Sequence, residues 1–305
     1  MGEEIDPDQF STPFLATKTL RRDPYPAILP TNPSNSQRDR IIIITGASVG
    51  LGEAAAKVWA RAGAKGIVIT ARNLSALNKL AEVLKAISPS TNVLSVKTDI
   101  SNEHDVKNLF AEIQKTFGRA ADVLLNNAGL LEDSNAIDTP VDKWWKTMEV
   151  NVKGLYSMTH HFINSQPNPR ESTATVISVS SGRAGFTDAG GSAYNISKIA
   201  EQRFSEHLQI ELPHLRVFTT MPGIVMTAMQ QEAFFPFAKD HADLTGMLAL
   251  YLVQPRADFL KGSMVSVNWD VEELEEHKGE IVQKKALMTS WMPILPLCGG
   301  KGLGA

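Results

Sequence analysis

Residues 41–52 read Ile-Ile-Ile-Ile-Thr-Gly-Ala-Ser-Val-Gly-Leu-Gly, and this stretch decides the fold. Four consecutive isoleucines are typical of a short strand that is buried on both faces of a parallel sheet. The loop after them leads into a helix, so backbone N–H groups and the positive helix end face any group above it. The sequence therefore predicts a dinucleotide site that is formed by Gly46, Ser48, Gly50, Leu51 and Gly52. The alternative is a plain tight turn between the strand and the helix.

Strand and helix patterns alternate along the rest of the chain. Apolar runs predict further strands at residues 66–71, 93–97, 123–126, 174–179, 216–221 and 264–268. Amphipathic patterns predict helices between them, including a long helical region at residues 141–165 and another that begins at residue 192. This alternation is typical of an α/β fold. We expect a single-domain, doubly wound parallel sheet of about seven strands with helices on both faces, which is Rossmann-like.

Three regions differ in composition. Residues 1–39 contain six prolines, which predict an extended N-terminal arm rather than a helix or sheet. Its apolar residues, among them Phe10 and Phe14, leave two alternatives: the arm wraps its own domain or a neighbouring subunit. Residues 40–270 form the expected dinucleotide-binding catalytic domain, and residues 271–305 the expected C-terminal helix and tail.

Composition and charge exclude several classes of function. The 305 residues carry a net charge of −3, which provides no basic surface for nucleic acid or for an anionic membrane. No apolar run is long enough to span a membrane, and the one cysteine, Cys298, fits a reducing compartment. We expect a soluble cytoplasmic protein that acts on a small molecule. No cluster of histidines and cysteines has metal-ligand spacing, and no serine stands in a hydrolase motif.

Tyr194 and Lys198 stand four residues apart in a predicted helix, so a phenol and an ammonium lie on the same face. A free tyrosine has a pKa near ~10 and is a poor acid or base at neutral pH. A cation about 4 Å away, at an effective dielectric constant of ~20, favours a phenolate by ~4 kcal/mol. The pair therefore suits general acid–base catalysis, although the same spacing also occurs in ordinary helical pairs.

Arg72 lies twenty residues after the glycine loop, at the end of the second predicted strand. An acidic residue at this place binds the ribose 2′-hydroxyl of NAD, whereas an arginine suits the 2′-phosphate of NADP. We therefore expect NADP (NADPH) as the cofactor. The alternative is a solvated arginine at a strand end.

Taken together, these motifs resemble the short-chain dehydrogenase/reductase family in its single-domain form, over roughly residues 40–270. The family pattern T-G-x-x-x-G-x-G matches the glycine loop, and Y-x-x-x-K matches Tyr194 and Lys198. The N-terminal arm and the C-terminal tail also resemble those of fungal biosynthetic short-chain reductases, which implies a role in secondary metabolism. By the same resemblance, further cofactor contacts fall on Asp99, near the adenine, on Asn126 in Asn-Asn-Ala-Gly, and on Val225 and Thr227 after the Pro-Gly turn.

The resemblance also implies the catalytic roles. Ser181 would hydrogen-bond the carbonyl oxygen, Tyr194 would deliver the proton, and Lys198 would also bind the nicotinamide ribose. The family spacing favours Ser181 over the neighbouring Ser180. Asn151 would hold a water through its backbone and relay protons to solvent, with a helix-bending amide as its alternative role.

Two segments depart from the family pattern, namely the N-terminal arm and the chain after the seventh strand, and a third segment leaves the substrate open. The loop after the sixth strand contains Phe-Phe-Pro-Phe at residues 234–237, which would line an apolar substrate pocket, pack internally or contact another subunit. The usual Asp-Gly-Gly after the seventh strand is replaced by Asn268-Trp269-Asp270 and a long tail that includes Trp291. The arm and tail put the family's standard tetramer in question, and a homo-oligomer stays one expectation.

The favoured function is hydride transfer between NADP and a ketone or secondary alcohol on an apolar or aromatic small molecule. Two alternatives stay open: a redox-neutral isomerase or dehydratase that uses the same tyrosine and lysine, and a non-catalytic NADP sensor.

Overall fold

A parallel sheet forms the centre of the computed structural model, which describes residues 6–227 and 232–289. Within these residues its strands run parallel in the order β3-β2-β1-β4-β5-β6-β7. The expected seven-stranded, Rossmann-like fold is confirmed, and β7 ends two residues earlier than expected. The strands are β1 (Ile41–Thr45), β2 (Gly66–Ala71), β3 (Asn92–Lys97), β4 (Val123–Asn126), β5 (Thr175–Val179), β6 (Arg216–Met221) and β7 (Met264–Ser266).

Helices cover both faces of the sheet. The long helical region expected at residues 141–165 is interrupted by a π-helical segment, Glu149–Gly154, that carries Asn151. The helices are α1 (Gly50–Arg61), α2 (Leu74–Ile87), α3 (Glu103–Phe117), α4 (Val141–Met148), α5 (Leu155–Asn164), α6 (Ser192–Glu211), α7 (Leu244–Leu252), α8 (Val271–Glu276) and α9 (Lys278–Lys284).

Strand β1 explains why its sequence is wholly apolar. Ile42 and Ile44 point into a hydrophobic core shared with α1, α2 and α7, whereas Ile41 and Ile43 point into a second core shared with α3 and α5. Side chains of a strand alternate between the two faces of a sheet, so a strand covered on both sides needs apolar residues at every position.

The N-terminal arm is less extended than its prolines predict. It contains three single-turn 3-10 helices, Thr12–Phe14, Pro26–Ile28 and Pro33–Asn35, and each has proline in its first turn. Proline presets φ for such a turn and lacks only an N–H that would have no helical partner there. The arm packs on its own domain: Tyr25 and Ile28 belong to the first core, and Leu20 forms an antiparallel bridge with Trp269.

Two residues named from the sequence lie outside the described residues: Trp291 and Cys298. The same holds for residues 228–231 of the loop after β6. Within the described ranges, no helix combines the length and apolar character needed to cross a membrane.

Candidate active site

The glycine loop lies at the carboxyl end of β1, beside the loop that follows β4. Gly46 has φ of +65°, and a Cβ on it would lie 2.8 Å from the Cα of Ala128. A Cβ on Gly52 would lie 2.6 Å from the carbonyl oxygen of Gly46. The loop is therefore packed too closely for side chains at these positions. Val49 stands at the N-cap of α1, and its apolar side chain accepts no hydrogen bond from the first-turn amides.

Thr45 and Asn127 join the two loops. The Thr45 hydroxyl oxygen accepts hydrogen bonds from the backbone N–H groups of Asn127 and Ala128, both at 2.9 Å. The Asn127 side chain donates in return to the Thr45 carbonyl oxygen at 2.8 Å. The chain leaves β1 toward β2 on one side and returns at β4 on the other, which is where doubly wound sheets open a ligand crevice.

The residues expected at the adenosine end of the cofactor, Arg72 and Asp99, follow strands β2 and β3. Arg72 is exposed after β2, which fits both the 2′-phosphate contact and the solvated arginine that the sequence left as its alternative. The Asp99 carboxylate accepts hydrogen bonds from the backbone and hydroxyl of Ser101. Burial acts to raise the pKa of Asp99, but these hydrogen bonds and the charges of Lys146 and Arg72 hold it below its ordinary value.

Asn126 does not present its side chain to this crevice. It is buried, and its Nδ2 donates to the Thr159 hydroxyl on α5 at 3.0 Å. The side chain therefore supports the loop from beneath, whereas its neighbour Asn127 ties the loop to β1.

A cavity of about 360 Å³ opens beside the glycine loop. Ser181 and Tyr194 line it on one side, and Val225 and Thr227 line it through the turn after β6. Leu51 of the glycine loop also reaches it. We call this the active-site cavity, because it brings together residues that the sequence predicted separately for catalysis and for nicotinamide binding.

The two neighbouring serines have different surroundings. Ser180 is buried, and its hydroxyl donates to the carbonyl oxygen of Lys198 at 3.1 Å. Ser181 is partly exposed at the cavity wall, where its hydroxyl oxygen accepts a hydrogen bond from the backbone N–H of Arg183. That contact leaves the Ser181 hydroxyl proton available to a substrate oxygen.

Lys198 lies behind Tyr194 and has a buried carboxylate as its partner. Its Nζ is 5.6 Å from the centre of the Tyr194 ring and donates to the Val179 carbonyl oxygen at 3.0 Å. Both carboxylate oxygens of Glu201 accept from the same Nζ, at 2.9 and 3.1 Å. The sequence analysis did not single out Glu201, although its spacing of three residues on a helix would have predicted the contact.

Burial and pairing shift the pKa values of both Lys198 and Glu201. Burial acts to lower the pKa of Lys198, but the charge of Glu201, with a contribution from Tyr194, outweighs burial and raises that pKa above its ordinary value. Burial raises the pKa of Glu201 to about 7, even though Lys198 opposes the shift. The ammonium beside Tyr194 is therefore charged at neutral pH, and its carboxylate partner titrates in the same range.

Asn151 lies in the π-helical segment, and its side chain makes hydrogen bonds to two other parts of the chain. Its Oδ1 accepts from the backbone N–H of Leu130 at 2.7 Å, and its Nδ2 donates to the Leu130 carbonyl oxygen and to the Ser197 hydroxyl at 2.9 Å. The side chain thus joins the loop after β4 to helix α6, which carries Tyr194. The proton-relay role through its backbone and the helix-bending alternative both stay predictions.

The N-terminal arm forms part of the cavity wall. Phe10 and Phe14 line the cavity together with Phe186 and Phe234. From the sequence, the two arm phenylalanines were expected to pack on this domain or on a neighbouring subunit, but they were not placed at the site. Of the Phe-Phe-Pro-Phe stretch, Phe234 lines the cavity, Phe237 is buried behind it, and Phe235 is exposed. No group of three potential metal ligands occurs among residues 6–227 and 232–289.

Comparison with known proteins gives consistent matches. A family model described as short chain dehydrogenase matches residues 40–235. Short chain dehydrogenase mpl6 of Monascus purpureus is 32% identical over 282 residues, which are 90% of this chain and 95% of that protein.

Solved structures agree in fold. A short chain dehydrogenase from Burkholderia cenocepacia J2315, in complex with NADP, aligns with a TM-score of 0.68 at 23% identity, over 77% of this chain and 98% of that one. A 3-ketoacyl-(acyl-carrier-protein) reductase from Brucella melitensis, complexed with NADH, aligns with a TM-score of 0.67 at 28% identity, over 75% and 97%.

Proposed function

Because the chain belongs to the short-chain dehydrogenase/reductase family, we propose that it is an NADP-dependent oxidoreductase acting on a ketone or secondary alcohol of an apolar or aromatic small molecule. One observation carries the proposal: Ser181 and Tyr194 open into the same cavity as the turn with Val225 and Thr227. A substrate carbonyl at this wall would contact both hydroxyl groups.

The residues at the crevice fit a dinucleotide. The loop at Gly46 and Gly52 lacks the side chains that would block a pyrophosphate, and the uncapped start of α1 offers backbone N–H groups to it. Val225 and Thr227 would hold the carboxamide end. When bound, the nicotinamide supplies or accepts the hydride.

The side chains supply positioning and the proton. Ser181 donates a hydrogen bond to the carbonyl oxygen as negative charge develops on it. Tyr194 donates its phenolic proton to that oxygen, which leaves a phenolate that Lys198 stabilises. In the oxidation direction, the phenolate takes the hydroxyl proton back. Lys198 is held in place for this role by Glu201 and by the Val179 carbonyl oxygen.

Arg72 supports the choice of NADP, since an exposed guanidinium after β2 suits a 2′-phosphate. A fluorescence titration with NADPH and NADH tests this. We expect NADPH to bind at least about tenfold more tightly, because a charge-assisted contact contributes roughly 1.5–3 kcal/mol. Arg72→Ala should remove the preference, whereas Arg170→Ala, an exposed arginine before β5, should not. Preferred binding of NADH by the unchanged protein would contradict the assignment.

A ketone panel assayed with both cofactors tests the reaction itself. We expect NADPH oxidation with at least one apolar or aromatic ketone, and no turnover would contradict the proposed activity. A cytoplasmic location, a role in secondary metabolism and a homo-oligomeric state stay predictions. Light scattering on the purified protein tests the last of these.

A further inference from the structure

Four phenylalanine side chains from three separate parts of the chain meet around the active-site cavity. Phe10 of the arm lies 5.3 Å from Phe234, between ring centres. Phe14 of the arm packs edge-to-face on Phe186, at 5.2 Å and an interplanar angle of 83°. We call Phe10, Phe14, Phe186 and Phe234 the aromatic wall. All four line the same cavity as Ser181 and Tyr194.

Hydrogen bonds and ion pairs hold the arm in this position. The Trp269 indole N–H donates to the Phe14 carbonyl oxygen at 2.6 Å. Arg22 pairs with Asp8 on its own arm and donates to the Asp240 carboxylate at 2.8 Å. The Asp240 side chain is fully buried, so it needs this partner. These contacts fix the position of the arm, so Phe10 and Phe14 are held at the cavity.

Asp240 also connects the arm to the turn after β6. Its second carboxylate oxygen accepts a hydrogen bond from the backbone N–H of Ile224 at 2.6 Å, and Ile224 lines the cavity next to Val225. One buried carboxylate thus fixes the arm and the turn relative to each other, which sets the distance between the aromatic wall and the expected nicotinamide position.

Among the residues that the structure describes, the charged side chains that line the cavity are paired. Arg183 lies 5.6 Å from the centre of the Tyr194 ring, but its guanidinium donates to Asp133 and Asp188. An anionic substrate would have to compete with these carboxylates. At the reacting end of the cavity, Ser181 and Tyr194 offer hydroxyl groups, whereas the aromatic wall offers ring faces and edges. Such walls favour flat aromatic ligands, because ring pairs gain energy beyond the area they bury.

We propose that the N-terminal arm is part of the substrate site, and that its Phe10 and Phe14 select an uncharged ketone carried on an aromatic ring. The inference rests on the proposed oxidoreductase function and deepens it by naming the substrate class. The ketone points to Ser181 and Tyr194, and its ring lies against the aromatic wall.

Selectivity between two probe ketones tests the proposal. The probes are 2-acetylnaphthalene and 2-butanone, reduced with NADPH by the full chain. We expect unchanged protein to prefer 2-acetylnaphthalene in kcat/KM. Phe10→Ala combined with Phe14→Ala should lower kcat/KM for 2-acetylnaphthalene by about 10–200-fold, the range for lost groups in apolar pockets, with a change below about threefold for 2-butanone. Phe235 is the neighbour of Phe234 but does not line the cavity, so Phe235→Ala should leave the ratio of the two kcat/KM values unchanged.

A binding measurement separates this proposal from the proposed function. Calorimetric titration of 2-acetylnaphthalene into the protein needs no turnover. Binding that weakens in the double variant, without reduction of any ketone, would leave the aromatic wall supported and overturn the oxidoreductase function. Reduction with an unchanged selectivity ratio in the double variant would overturn the aromatic wall alone. Absence of both binding and reduction of 2-acetylnaphthalene would also overturn it.

A second variant guards against loss of folding. Phe10→Leu combined with Phe14→Leu keeps most of the apolar volume that packs on Phe234 and Phe186. We expect native circular dichroism and a smaller but measurable loss of selectivity for 2-acetylnaphthalene. Selectivity equal to that of the unchanged protein would show that apolar volume alone is sufficient, and would overturn the role of the aromatic rings.

Discussion

The Glu201 carboxylate reduces the effect of the Lys198 charge on Tyr194. The sequence-based estimate assumed an unopposed ammonium, but the Lys198 Nζ also contacts the Glu201 carboxylate at 2.9 Å. An ionised Glu201 offsets part of the field of Lys198 at the phenol. Because burial raises the pKa of Glu201 to about 7, the size of this offset changes within the neutral range.

Replacing Tyr194 by phenylalanine tests the proton donor. Tyr194→Phe removes only the hydroxyl at the cavity wall, so we expect NADPH binding to persist while ketone reduction falls by at least about 100-fold, the lower bound for loss of a general acid. Steady-state kinetics and a cofactor titration measure the two effects. Turnover that survives the substitution would contradict the mechanism.

Glu201→Gln tests how the ammonium is tuned. The charge that opposes Lys198 appears as Glu201 ionises near pH 7, so kcat/KM for ketone reduction should fall as the pH rises through about 7. An amide at residue 201 cannot ionise. We therefore expect this fall to be absent from the kcat/KM profile of Glu201→Gln.

The matched control for this prediction is Glu211→Gln, an exposed carboxylate at the end of the same helix. Its pH profile should be unchanged. A profile for Glu201→Gln that superimposes on that of the unchanged protein would restrict Glu201 to a structural role.

At the scale of elements, the glycine loop is held by contacts on both sides. Gly52 belongs to the first turn of α1 and lies against Asn127 and the Gly46 carbonyl. Gly52→Ala would place a methyl group within 2.6 Å of both, so the loop must move. We expect the free energy of unfolding to fall by about 1–3 kcal/mol and NADPH affinity to fall with it, as measured by urea denaturation and titration.

Gly279→Ala is the control for that change. Gly279 lies in α9, and a Cβ there would meet no atom within 4 Å. Alanine in an open helical position should raise the free energy of unfolding by about 0.5–1 kcal/mol. Equal effects of the two substitutions would show that the close packing at Gly52 does not matter.

At the scale of the whole molecule, the arm and the segment after β7 form one structural unit. The sequence showed them as two separate departures from the family pattern. In the structure, Arg21 donates to Asp270 at 2.7 Å, and the Tyr25 hydroxyl bonds the backbone of Trp269 and Val271. The residues that replace Asp-Gly-Gly therefore form hydrogen bonds with the arm.

Arg22→Ala tests how much the arm contributes to stability. Burial already raises the pKa of Asp240, against the effects of the Ile224 N–H, Arg22 and Asn268. Loss of Arg22 should raise it further. A raised carboxyl pKa contributes stability that is present at low pH and is lost as the pH rises through that pKa.

We therefore expect Arg22→Ala to lower the free energy of unfolding by about 1–3 kcal/mol, and by more at pH 8 than at pH 5. Urea denaturation at the two pH values measures the difference. Arg38→Ala, an exposed arginine of the same arm, should have little effect. A loss for Arg22→Ala that is independent of pH would contradict the coupling to Asp240.

The sequence by itself determined the parallel sheet, the glycine loop and the residues expected at the site. These features follow from local patterns: apolar runs at buried strands, periodic apolar positions in helices, and residue spacings such as Tyr194 to Lys198. The π-helical break at residues 149–154 and the paired state of Lys198 depend on packing around them, although the Glu201 spacing was visible.

Only the tertiary structure decided what surrounds the substrate. The Phe10–Phe234 contact joins residues more than 200 positions apart, and the ties from Arg22 to Asp240 and from Trp269 to Phe14 are similarly distant. No local pattern encodes such pairs, because each forms only when the sheet has brought the ends of β6 and β7 beside the arm. The substrate wall is therefore a product of the fold as a whole, whereas the expected catalytic tyrosine and lysine follow from one helical turn.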